Sequence, residues 1–148
     1  KTQIYGVDGY WKWKSPTAAA GFPFVSLQGE AMYRNYGAEQ RVAADDPAVQ
    51  LPAETLADRG AYAQVLWGIK PRIVAGLRYD VVNGGASSFA TPVRDDRFRV
   101  SPNFSWYPTE FSKLRFQYNY DNRKGIGSDH SFWVQFEFLL GAHAAHKF

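Results

Sequence analysis

Few side chains in this sequence are of types that could do covalent or metal chemistry, and their spacing does not join them. The chain has no cysteine and three histidines. Two of these, His143 and His146, lie three residues apart in the tail from Gly141 to Lys147. Zinc sites generally use three or four protein ligands, and residues three apart on an extended strand point to opposite faces, so the pair alone makes no metal site. No Gly-rich phosphate loop or nucleophile elbow occurs, so the sequence predicts neither an enzyme nor a bound cofactor.

The charged residues carry more information, because they recur at every second position opposite apolar ones. Tyr5, Val7, Gly9, Trp11 and Trp13 oppose Asp8, Tyr10, Lys12 and Lys14, and Val25, Leu27, Gly29, Ala31 and Tyr33 oppose Ser26, Gln28, Glu30, Met32 and Arg34. The same period of two runs through Ala61–Lys70, Arg72–Val82, Arg97–Trp106, Lys113–Arg123 and Ser131–Leu140. Such alternation predicts half-apolar strands. Val74, Val82, Trp133 and Leu139 stand on the wrong side, and Pro102 predicts a bulge or local break because it cannot donate to the ladder. In the cleanest segment, Leu114, Phe116, Tyr118 and Tyr120 oppose Lys113, Arg115, Gln117, Asn119, Asp121 and Arg123.

Composition limits what these strands can form. Aromatic residues make up 17% of 148, and no apolar run approaches the roughly 18 residues that a spanning helix needs. Strands of about 9 to 11 residues cross the hydrocarbon when tilted, with one face toward lipid and the other toward water. A soluble β-sandwich or lipocalin-like barrel would alternate in the same way with its apolar face inward. Two further patterns favour the membrane. Long polar links, Tyr36–Arg59, Asn83–Asp96 and Arg123–His130, alternate with shorter ones at Ile69–Arg72 and Pro108–Ser112, with Ser15–Gly21 intermediate. Outer-membrane barrels pair short periplasmic turns with longer extracellular loops, so the long links, chiefly residues 37–59 and 84–96, are expected outside the cell. On that orientation Trp11, Trp13, Phe24, Trp67, Trp106 and Phe138 fall near the periplasmic ends of the apolar face, and Tyr5, Tyr33, Tyr79, Phe98, Tyr120 and Phe132 near the outer ends. Aromatic rings favour both membrane interfaces, so two girdles are expected.

The polar face would then line a lumen. It carries Lys12, Lys14, Arg34, Lys70, Arg72, Arg78, Arg97, Arg99, Lys113, Arg115 and Arg123 against Asp8, Glu30, Asp80, Asp121 and Glu137, an excess of six positive charges. Rings of Arg and Lys favour anions in a pore, whereas pairing with the acids would instead fix the wall's shape. The pairs Asp45–Asp46 and Asp95–Asp96 fall in the proposed outer loops as solvated charge. Basic residues interleaved with aromatics can signal nucleic acid, but strict segregation by parity argues against it.

The whole chain, as a single segment 1–148, resembles the C-terminal part of Gram-negative outer-membrane β-barrels of the porin and TonB-dependent receptor type. The resemblance implies an antiparallel up-and-down transmembrane barrel with about seven strands visible here. Members commonly end in an aromatic residue that the barrel-insertion machinery reads, and Phe148 is terminal, with Phe132 through Ala144 keeping one parity toward it except at His146. The implied partners are outer-membrane lipid, lipopolysaccharide and small solutes, anionic ones included. A porin-like channel is the leading function, a TonB-dependent receptor barrel with its plug elsewhere the second, and a structural or adhesive barrel the third. Bacterial single-chain barrels have even strand numbers, so seven strands predict further strands before Lys1 or a neighbouring subunit. No initiating Met or signal-peptide pattern opens the chain, which reads as processed, trimmed or a fragment.

Overall fold

The computed structural model describes residues 1–43, 46, 48–85 and 96–140. Among them the fold is all β, with no helix. Seven long strands form one antiparallel sheet, each paired with the next in chain order, and the sheet does not close on itself. The strands are β1 (Thr2–Ala19), β2 (Phe22–Ala38), β5 (Glu54–Lys70), β6 (Ile73–Gly84), β7 (Arg97–Thr109), β8 (Ser112–Arg123) and β9 (Gly127–Phe138). Between β2 and β5 a separate two-stranded ribbon joins β3 (Arg41–Val42) to β4 (Gln50–Leu51). β1 and β9 form the two edges, so each has one side of its backbone without a strand partner.

All seven alternating segments are strands, and all run longer than the alternation suggested, from 12 to 18 residues. The extensions take in residues placed in links by composition. Asp58 pairs with Arg34 across β2 and β5, and Asp129 pairs with Asp121 across β8 and β9. The Arg123–His130 link is therefore no long loop but a turn of Lys124, Gly125 and Ile126, in which Ile126 N–H donates to Arg123 O at 3.1 Å and Gly125 has a φ of 78°. A glycine suits that position because other side chains resist positive φ there. The Tyr36–Arg59 link contracts to residues 39–53 and carries the β3–β4 ribbon.

The opposite end holds three two-residue turns, Ala20–Gly21, Pro71–Arg72 and Glu110–Phe111. At the first, both residues have positive φ, 51° and 81°, the hairpin geometry whose twist matches that of its strands. Register shifts between Lys14 and Ala19, Gly68 and Lys70, and Trp106 and Thr109 all lie beside these turns. No bulge occurs at Pro102. It pairs with Leu77 on β6, while pairing to β8 lapses between Val100 and Asn103 and resumes in the same register. The missing N–H thus produces the local break alone.

The burial pattern is inverted relative to a soluble sheet. Among the described residues only Leu56 and Val74 are buried and apolar, whereas Ser26, Ser101, Asn103, Ser105, Asn119 and Asp121 are buried and polar. Val7 is 69% exposed and Phe132 66%. Across an antiparallel sheet directly paired residues share a face, so register decides membership. One row reads Trp11, Leu27, Val65, Leu77 and Pro102, and its neighbour one residue along reads Lys12, Ser26, Leu66, Gly76 and Asn103. The apolar and polar parities of every strand merge into two continuous faces, and the apolar one is bare.

Candidate functional site

The polar face is built by short-range pairing between neighbouring strands. Arg78 grips Asp80 two residues along β6, its Nε donating to Oδ1 and Oδ2 at 2.9 and 3.0 Å, and its guanidinium lies 3.8 Å from the centre of the Tyr62 ring. Gln28 Nε2 donates to Tyr62 Oη at 3.1 Å. Arg97 and Arg99 converge on Asp121, with Nε donors at 2.8 and 2.9 Å, and Arg123 stands 3.9 Å from the same carboxylate. The Asp121 side chain is only 6% exposed beneath them. Arg34 pairs with Asp58, and Lys113 Nζ reaches Glu137 at 2.6 Å.

Between the Asp121 cluster and the Lys113–Glu137 pair, β8 and β9 are lined by amides and hydroxyls. Arg115 Nη2 donates to Gln117 Oε1, Gln117 Nε2 to Asn119 Oδ1, both at 2.8 Å, and Asn119 Nδ2 to Ser131 Oγ at 3.1 Å. Trp133, on the wrong side by sequence, donates its indole N–H to the same Ser131 Oγ at 3.1 Å. Lys12 Nζ lies 4.5 Å over the Phe24 ring. Phe24 pairs with Lys14 and Gly68, which puts it on the polar face and not in an apolar girdle as its position near a strand end suggested. A Cβ on Gly68 would meet Phe24 Cε1 at 2.2 Å, so the missing side chain makes room for the ring. Val74, another misfit, is buried on this same face beside Ser105.

Register also revises the charge balance. Lys12, Lys14, Arg34, Arg78, Arg97, Arg99, Lys113, Arg115 and Arg123 carry the polar parity. Arg72 does not, because it occupies a two-residue turn with a φ of 72° and donates Nη1 to Pro108 O at 3.1 Å. Lys70 pairs with Ile73 beyond the register shift and so leaves the polar face at the turn. Conversely Glu54, Asp58 and Asp129 join Asp8, Glu30, Asp80, Asp121 and Glu137 there. Nine bases now face eight acids, and the excess of six falls to one. The acids entered with strand ends that composition had assigned to loops.

On the apolar face the outer aromatic positions form a nearly continuous series. Tyr5 stacks on Tyr33 with ring centres 6.4 Å apart, and Tyr79, Phe98, Tyr120 and His130 follow at 6.1, 5.9 and 5.2 Å. His130, assigned to a link by composition, also bonds Tyr118 Oη through Nδ1 at 2.5 Å. Trp11, Trp13, Trp67, Trp106 and Phe138 are exposed on the same face toward the two-residue turns. Both rows run obliquely. On β9 His130 stands level with Gly9 of β1 and Phe132 with Trp11, four and six residues along from Tyr5. Phe148, His143, His146, Asp45 and Asp95 lie outside the described residues, as does any insertion or metal role assigned to them. Among the described residues no group of three or more His, Cys, Asp or Glu could hold a metal ion.

No protein-family model matches the chain. No solved structure matches it either. An uncharacterized protein of Aquifex aeolicus (strain VF5) is 30% identical over 158 aligned residues, which take in all of this chain and 31% of that protein. The chain therefore spans about a third of the length of the relative it matches.

Proposed function

We propose that this chain is a section of the wall of an outer-membrane β-barrel that serves as a porin-like, water-filled channel for small solutes. The observation that carries this reading is the inversion of burial, with serine, asparagine and aspartate occluded on one face while Val7, Trp11, Phe132 and Phe136 are bare on the other. In water such a face would leave far more contiguous apolar surface than monomeric soluble proteins tolerate. Against lipid it costs nothing, and the polar face becomes the hydrated lining.

The slope of the aromatic rows supports the same reading. An offset of four residues to His130 or six to Phe132 across six strand spacings, at about 3.3 Å per residue and about 4.8 Å per strand, tilts the row by roughly 25 to 35° to the pairing direction. Barrel strands tilt by about 35 to 45°, so a row at the upper end of that slope becomes a level girdle once the sheet is closed. Along β7 the two rows stand eight residues apart, from Phe98 to Trp106, about 26 Å along the strand or about 22 Å in height at a tilt of about 35°, close to the apolar band of about 25 Å. Closure needs further strands on the free edges of β1 and β9, and the missing pairing there would be supplied by the rest of a longer chain or by a neighbour.

The test uses the full-length protein reconstituted in planar bilayers. Stable, ohmic single-channel steps are expected. A protein that folds in detergent micelles yet conducts nothing would replace the open channel with a plugged barrel of the TonB-dependent receptor type or a structural one, and a protein that stays in water without detergent would overturn the membrane reading.

A further inference from the structure

The apolar face is interrupted by charge once within its span. Apart from Lys70 at the rim of a two-residue turn, Arg59 is the one Asp, Glu, Lys or Arg of the seven-stranded sheet with the apolar parity among the described residues. It pairs directly with Tyr33 and Asn83, and so stands on β5 at the level that Tyr33 and Tyr5 hold on β2 and β1. Its guanidinium lies 6.0 Å from the centre of the Tyr33 ring. It is exposed and has no acidic partner within 4 Å among the described residues. Asp96, from the neighbouring loop, is engaged by Asn83.

Directly below Arg59 the wall is hollow. A depression of about 500 Å³ is walled by Tyr5, Val7, Tyr33 and Val81 and floored by Ala31 and Ala61. A second, of about 650 Å³, lies farther along the same strands between Trp11, Leu27, Leu77 and Tyr79. Each is the size of a small-molecule site, and both are lined almost wholly by carbon. Apolar depressions in line, capped at one end by a guanidinium with no acidic partner among the described residues, are complementary to an acyl chain bearing an anionic headgroup.

We infer that this trough seats a phosphate-bearing acylated lipid of the leaflet at the loop end, with its chain along Ala31 and Ala61 and its phosphate on Arg59. The inference rests on the membrane reading above. Arg59 would donate two parallel N–H bonds to phosphate oxygens, a geometry that its planar fork fits and that a lysine would not reproduce. Tyr33 beneath the guanidinium holds it at the interface.

The experiment uses the full-length protein folded in detergent micelles and titrated with purified diphosphorylated lipid A, with retained adducts counted by native mass spectrometry. Wild type is expected to keep one lipid more tightly than Arg59→Gln by about tenfold, the order of one lost charge-assisted interaction. Ala61→Leu, which fills the trough, should weaken retention while leaving Arg59 in place. Dephosphorylated lipid A should bind wild type and Arg59→Gln alike. Heat-modifiable gel mobility, measured for each variant, reports whether the barrel has folded. A wild type that folds but retains no lipid, or an Arg59→Gln variant that retains it equally, overturns the inference and leaves the membrane reading standing. A protein that never enters micelles overturns the membrane reading itself.

Discussion

Asp121 shows how the polar face holds its shape at the level of single side chains. Its carboxylate is nearly enclosed, and Arg97 and Arg99 both donate to it from the adjoining strand. Asp121→Asn keeps the volume but removes the charge, leaving two half-exposed guanidinium groups to repel one another. Because those groups are 34% and 40% exposed, solvent screens much of the loss. A destabilisation of about 1 to 2 kcal/mol is expected, read from the denaturant midpoint of the protein in micelles. Lys12 and Lys14 differ from these arginines in having no acidic partner within 4 Å among the described residues. If they line a channel, replacing both with glutamine should move the reversal potential toward cation selectivity, whereas replacing the paired Arg34 should move it less. An unchanged potential in the double variant would place these lysines away from the ion path.

At the scale of elements, the hairpin ends are where local geometry and packing can be separated. Ala20 sits at a φ of 51°, a conformation that costs an alanine roughly 1 kcal/mol and a glycine much less. Ala20→Gly should therefore stabilise the β1–β2 hairpin by about 0.5 to 1 kcal/mol, despite the greater freedom of glycine in the unfolded chain. A lowered unfolding midpoint would mean that this turn is not strained as described. Gly68→Val probes the next layer, since the space above Gly68 is filled by the Phe24 and Phe22 rings. The added side chain must displace both, and a loss of about 1 to 3 kcal/mol is expected. The strands themselves were legible because their period is two and the apolar parity never lapses for long. Their ends were not. Asp58, Asp129 and His130 are polar residues of the kind that fill loops; Asp58 is strand opposite Arg34 and His130 opposite Tyr120, and Asp129 is carried in the ladder between His130 and the turn although it faces Asp121.

For the whole molecule, the decisive property is which face meets which solvent. Ala63 lies midway between Arg59 and Trp67 on the apolar face and is exposed, whereas Tyr5 lies in the outer row. In lipid, Ala63→Arg should cost about 2 to 4 kcal/mol and Tyr5→Arg about 0 to 1 kcal/mol from the charge alone. Equal, small costs at both depths, measured by reversible unfolding in phospholipid vesicles, would show that no hydrocarbon covers this face. By itself the sequence determined the strand class, the number of long strands, the antiparallel order and the parity of nearly every side chain, because alternation at a period of two is a local property of the chain. The tertiary structure alone decided the bounds of the strands, the near balance of charge on the polar face, and the meeting of Arg59 with the hollow at Ala31 and Ala61. These depend on register between strands, and register sets beside one another residues 8 positions apart, as at Asp121 and Asp129, and 28 apart, as at Gly60 and Met32, where no period-two pattern reaches.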